Sequence, residues 1–168
     1  MEADAVLIHE GYDDVDGNIA SRQNTKNGDI DAAFANADVV MSERFQTTKQ
    51  HAMPLETHAA VATWDLDADF ITLWSSTQQS HVLRDTVARV FSLPSSKVRV
   101  IKPYVGGAFG HKTGLNPNEA MAIFGSKRTG RPVKIALSRQ EEFACTVSRN
   151  PQDRRVEVAL SKEGRILG

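Results

Sequence analysis

Cysteine is nearly missing from this chain: Cys145 is the single thiol in 168 residues. One thiol excludes an internal disulfide, and it excludes an iron–sulfur cluster or a cysteine-rich zinc site held by this chain by itself. Long apolar runs are also missing. No stretch approaches the roughly 20 residues that a bilayer-spanning helix needs. No secretory signal is legible at the start, so a reducing, cytoplasmic setting is the expectation. Charge of one sign is lacking as well: 20 Lys and Arg stand against 21 Asp and Glu, a net charge of −1. That balance recommends neither nucleic acid nor an anionic membrane as a partner. What is present, 40% apolar and 24% charged residues, is the composition of a globular domain long enough to bury a core.

Residues 1–28 mix short apolar pieces with Asp, Asn and Gly and read as an irregular lead-in. From Asp29, the spacing of Ile30, Ala33, Phe34 and Ala37 predicts a short helix with a buried stripe. Residues 38–47 place Val39, Met41 and Phe45 on one face of a strand. Residues 57–65 and 69–77 read as two strands joined at Leu66-Asp67-Ala68, a hairpin. Residues 79–92 carry Leu83, Val87, Val90 and Phe91 on one face of an amphipathic helix. A strand, KVRVIK (97–102), follows. Asn116-Pro117-Asn118-Glu119 starts a second main helix, which runs to Gly130, because Asn caps, Pro suits the first helical position and Glu completes a capping box. Residues 132–138, 154–161 and 165–168 supply the last strands. Strands and helices interleave without strict alternation, which predicts an α+β fold with a mixed β-sheet and two main amphipathic helices. The final residues fall inside what reads as a strand, so a fragment is expected, with self-association through an open edge or an exposed apolar patch.

The densest chemical signal is VGGAFGHK (105–112). Gly106, Gly107 and Gly110 let backbone N–H groups approach a ligand where other residues are strained. Successive free N–H groups in such a loop make an anion-binding nest. A glycine-rich turn without a ligand is the equal alternative on these residues alone, and the order matches neither a phosphate loop nor a dinucleotide fingerprint. Asp65, Asp67 and Asp69 imitate the opening of a calcium loop, but the Gly and Glu that such a loop requires are missing, so a solvated hairpin turn is expected. His9, His51, His58, His81 and His111 lack zinc spacing, so no metal held directly by protein ligands is expected. Glu56, in HAMPLETH (51–58), is either an acid–base group or a carboxylate tying a loop to backbone N–H groups, and the second is preferred.

Taken in order, these segments resemble the large, molybdenum-binding subunit of the xanthine oxidase family: xanthine dehydrogenases, aldehyde oxidoreductases and carbon monoxide dehydrogenases. GDIDAAFANADVVMSERFQTTKQHAMPLETHAAVATWD is similar to the family's helix, strand, Gln and Leu-Glu-Thr/Pro-His segment. TLWSSTQQSHVLRDTVARVFSLPSSKVRVIKPYVGGAFGHK is similar to its Thr-Gln, helix, Leu-Pro, strand and glycine-loop segment. The resemblance implies that residues 29–168 are the N-terminal part of a molybdopterin-binding domain and that the molybdenum is held by a pterin dithiolene. Gln50 then donates a hydrogen bond to an oxo group, while Gly106, Gly107, Ala108, Phe109 and Gly110 approach the metal and the pterin. Ala108 and His111 replace glycines of the family pattern. Thr113 stands where purine-hydroxylating members carry an acidic residue facing substrate, which turns the reading towards the carbon monoxide dehydrogenase and aldehyde oxidoreductase branches.

The resemblance further implies a catalytic glutamate far downstream, hence no catalytic residue within 1–168. It places iron–sulfur and FAD groups on separate domains or subunits, and it implies a small-molecule substrate and a homo-oligomeric parent. The other classes kept open are a non-catalytic anion- or nucleotide-binding module and a degenerate structural subunit of a redox complex.

Overall fold

Patterning from Asp29 onward resolves into α1 (Ile30–Ala35), β1 (Val39–Thr47), β2 (Ala59–Asp65), β3 (Phe70–Ser75), α2 (Ser80–Val90), β4 (Val98–Ile101), α3 (Pro117–Thr129), β5 (Val133–Ala136), α4 (Arg139–Cys145) and β6 (Gln152–Leu160). The structure, a computed structural model, describes Val6 and residues 18–168. The lead-in expected over 1–28 therefore falls largely outside the described residues, as does His9. The chain divides into two compact units, Met1–Phe45 with Arg154–Gly168, and Gln46–Asp153.

The larger unit holds the core. β2 and β3 pair antiparallel as the expected hairpin, with Ala62 opposite Leu73 and Trp64 opposite Ile71. Because side chains alternate across a strand, Ala60, Ala62 and Trp64 share one buried face with Ile71 and Leu73. β4 adds parallel to β3 and β5 antiparallel to β2, giving a mixed sheet of order β4-β3-β2-β5. Leu83 and Val87 of α2 and Ala122 and Ile123 of α3 complete the same core. Small Ala60 and Ala62 leave room for α3 to lie close on the sheet.

α3 starts as its sequence requires: Asn116 N–H donates to Glu119 Oε2 at 2.7 Å, and Gly130, at φ +64°, ends it in a left-handed cap. Glu119 Oε1 also accepts the buried Ser75 hydroxyl, which ties the helix start to the sheet. The hairpin aspartates are turn residues: Asp65 Oδ1 accepts from Asp67 and Ala68 N–H (3.0 and 2.9 Å), and Asp69 Oδ1 from Trp64 Nε1 (3.0 Å).

The smaller unit departs from expectation. α1 is present, capped by Asp29, but none of its residues is buried. Every residue of β1 is exposed, including Val39, Met41 and Phe45. β1 pairs with β6 in a two-stranded sheet, which gives β1 no second layer to cover either of its faces. Residues 165–168 form only an isolated bridge, Leu160 to Ile166, because the chain turns tightly at Ser161–Arg165. In the larger unit Val90 is exposed, lying past the buried Leu83 and Val87 at the end of α2. α4 is an added element: Ser138 and Glu141 form a capping box that starts it. Among the described residues, no helix is long and apolar enough to cross a membrane.

Candidate functional site

Gln50 enters the site on a backbone clamp. Its N–H donates to Arg149 O at 3.2 Å and Arg149 N–H donates to Gln50 O at 2.7 Å, an isolated antiparallel bridge. Residues 51–58 have no ladder, so their polar groups need partners elsewhere. α4 supplies them. Arg139 Nη2 donates to Pro54 O and Leu55 O, both at 2.8 Å. Glu142, fully buried, accepts from His58 N–H and from His58 Nδ1, both at 2.8 Å. His51 Nε2 lies 3.0 Å from Thr146 Oγ1, and its ring meets Phe143 edge-on at 5.0 Å.

His51, His111 and Glu142 bring possible ligand atoms within 4.8 Å of one another. Hydrogen bonds account for this group. Met53 N–H donates to His51 Nδ1 at 3.0 Å, so the proton of the neutral ring sits on Nε2 and faces Thr146. His111 Nε2 meets the same hydroxyl at 2.7 Å, and the hydroxyl donates to Glu142 O. Burial, followed by the nearby His51 and His58, lowers the pKa of His111 from 6.5 against the pull of Glu142. For Glu142, burial acts most strongly and pushes upward. The two hydrogen bonds and the charge of His58, with His111, together outweigh it and leave the carboxyl below 4.5.

The glycine loop is fastened at both ends. Gly106 N–H donates to Glu56 Oε2 (2.9 Å), and Glu56 N–H donates back to Gly106 O (3.1 Å). A Cβ on Gly106 would stand 2.8 Å from Glu56 Cβ, so only glycine permits this approach. The buried Lys112 ammonium donates to the same Glu56 oxygen at 2.8 Å. Gly110 N–H donates to Gln78 Oε1 at 3.0 Å, and Lys112 O accepts from Gln78 N–H at 3.0 Å. Between these anchors Gly107, Phe109 and Gly110 adopt positive φ of 99°, 52° and 82°. For Phe109 this is a strained conformation. The N–H groups of Gly107, Ala108 and Phe109 donate to no acceptor among the described residues.

Gln50, Phe109 and Gly110 line one cleft of about 340 Å³, together with His51, His111, Ser148 and Arg149. Gly106, Gly107 and Ala108 lead the loop towards it. Thr113 does not line it, and its hydroxyl lies 3.5 Å from Gly110 O. Sequence reasoning missed Gln78, Lys112, Glu142, Thr146 and Arg149. One signal was available: the Ser138-x-x-Glu141 pattern marks the start of α4, which carries Glu142.

A glycine loop beside a donor-lined cleft, in an α+β fold, is an arrangement suited to holding a cofactor. The chain belongs to the molybdopterin cofactor-binding domain family, whose model matches residues 11–168. It is 38% identical over 138 residues to the carbon monoxide dehydrogenase large chain of Hydrogenophaga pseudoflava, covering 82% of this chain and 17% of that one. It is 33% identical over 166 residues to the nicotinate dehydrogenase large molybdopterin subunit of Eubacterium barkeri, covering 99% of this chain and 37% of that one. The aldehyde oxidoreductase structure from Desulfovibrio gigas matches with a TM-score of 0.81 at 27% identity, covering 98% of this chain and 18% of that one. The chain thus spans between 17% and 37% of the length of these relatives.

Proposed function

We propose that this chain is the part of a molybdenum hydroxylase catalytic subunit that positions the molybdenum–pterin cofactor. The observation that carries this reading is the meeting of Gln50 with Phe109 and Gly110 at one cleft. The residues fit such a group. Three consecutive backbone N–H groups stand without acceptors among the described residues, and Gly106 admits no side chain. A pterin that brings its own sulfur ligands requires no protein ligand set, only donors to its oxygen atoms. When bound, the cofactor would supply two-electron redox chemistry for oxidising a small molecule. The chain's own residues hold and orient it: Gln50 through its amide and residues 106–110 through the backbone, all donating without adding net charge. Thr113, just past this loop and off the cleft wall, borders the substrate space beyond the cleft. Iron–sulfur and flavin groups on other domains or subunits carry the electrons onward, and the parent is a cytoplasmic homo-oligomer. The named relatives, dehydrogenases and an oxidoreductase, support the oxidoreductase part of this reading.

The test is made on the complete natural polypeptide. Purified from a host that makes the cofactor, it should carry molybdenum and pterin in near-stoichiometric amounts; none of either would overturn the reading. Gln50→Ala removes a hydrogen bond of the charge-assisted kind, worth roughly 1.5–3 kcal/mol. At about 1.4 kcal/mol per tenfold, turnover or cofactor retention should fall about ten- to a hundred-fold. Unchanged turnover and unchanged molybdenum content would remove Gln50 from the site.

A further inference from the structure

We propose that Arg149 is an oxyanion-binding residue of the cleft, taking either a phosphate on the bound cofactor or a carboxylate on the substrate. Its backbone is clamped to Gln50 by two hydrogen bonds, so its origin on the cleft wall is fixed beside that amide. No carboxylate is among the residues that line the cleft, whereas Gln50, Ser148 and Arg149 all offer donors to it. The other cations around the site are already engaged. Lys112 pairs with Glu56, and Arg139 donates to the carbonyls of Pro54 and Leu55. Among the described residues the Arg149 guanidinium has no hydrogen-bond or ion-pair partner, and its side chain is exposed. A guanidinium presents a planar fork that matches phosphate and carboxylate oxygens two at a time. The strained, left-handed Phe109 on the same cleft is a second sign of a wall shaped to present donors to a ligand.

The phosphate arm rests on the cofactor reading above; the anion site itself does not. The experiment uses the complete natural polypeptide from a host that makes no pterin, titrated with inorganic phosphate and with acetate by calorimetry, as wild type, Arg149→Gln and Arg149→Lys. Wild type should bind one of the two probes. Arg149→Gln should bind it about tenfold or more weakly, with Arg149→Lys in between. Melting in the absence of anion should be unchanged, because the two clamp bonds are made by the backbone.

A preference for phosphate, with reduced pterin content in Arg149→Gln from a pterin-making host, identifies the cofactor as the source. A preference for acetate with unchanged pterin content identifies the substrate. Failure of wild type to bind either probe, or equal binding by Arg149→Gln, overturns the proposal. A wild type that carries no pterin but shows Arg149-dependent phosphate binding would overturn the proposed function and leave the anion site standing.

Discussion

Two buried regions of residues 46–153 are held by opposite means. Under the sheet, Ala62, Ile71, Leu73, Leu83, Val87 and Ile123 are wholly buried and meet through apolar atoms alone. Under residues 50–58, Glu142, His58, His111 and Lys112 are nearly as inaccessible, yet each acts through a charged or hydrogen-bonding group. Apolar burial is non-directional and scales with area. It stabilises the fold while leaving a side chain's exact neighbours open to exchange at similar volume. The polar region is directional. Glu142 reads the position of His58 through two oxygens at 2.8 Å, and Glu56 reads both Gly106 and Lys112 through one. The first region supplies stability; the second fixes where the cradle and its facing segment stand.

The comparison is broken most severely on the apolar side. Leu73→Ala leaves a cavity between the sheet and its helices and should cost about 2–5 kcal/mol in unfolding free energy. Chemical denaturation should show the whole loss as a lower midpoint with an unchanged slope. A loss below about 1 kcal/mol would mean that the core relaxes around the gap and is not the main store of stability.

The apolar region was largely legible in the sequence. Alternation over residues 57–77 and the four-residue spacing of Leu83 and Val87 are local signals, and most of the core follows from them. β1 misled because it carries the same alternation as β2, and alternation says which residues share a face but not whether anything covers it. The 106–110 loop was legible through its glycines, and Gln50 only through the family resemblance; the structure brings Gln50, Phe109 and Gly110 to one cleft. The polar region was not legible. α4 is 7 residues long, too short to show a period, and nothing in its sequence marks Glu142 apart from its neighbour Glu141. Its burial depends on His58, which lies 84 residues away. No spacing rule reaches that far.

The polar side should give way with a smaller loss. Glu142→Gln keeps the volume but can accept at one oxygen only, so its amide N–H₂ faces either His58 N–H or His58 Nδ1. A tautomer shift would free Nδ1 and move the ring proton to Nε2, which is buried without a partner among the described residues. Either way a buried donor is stranded, at about 1–3 kcal/mol. What separates this variant from Leu73→Ala is position. At a temperature where both are fully folded, Glu142→Gln should lower cofactor content in the complete natural polypeptide, while Leu73→Ala should leave it near wild type. Equal cofactor content in the two variants would dissolve the division between a stabilising and a positioning region.

The smallest effect expected is in the pH dependence, and its sign follows from two shifts in the same region. His111 is held below 6.5, so the unfolded chain takes up its proton first. As pH falls through the unfolded value, folding therefore loses free energy. Glu142 is held below 4.5, so the stability it contributes is present above that value and is lost as pH falls through its lower folded pKa. Both act in the same direction, His111 first and Glu142 at more acid pH. Melting temperature should therefore decline modestly between about pH 7.5 and about pH 5, the range in which histidine changes charge. His111→Asn removes the titrating ring and should flatten that limb while leaving the fall at lower pH in place. Leu73→Ala should instead shift the whole curve downward in parallel, since it touches no titrating group. If His111→Asn declines as steeply as wild type across that interval, His111 is not the group that makes the polar region acid-sensitive.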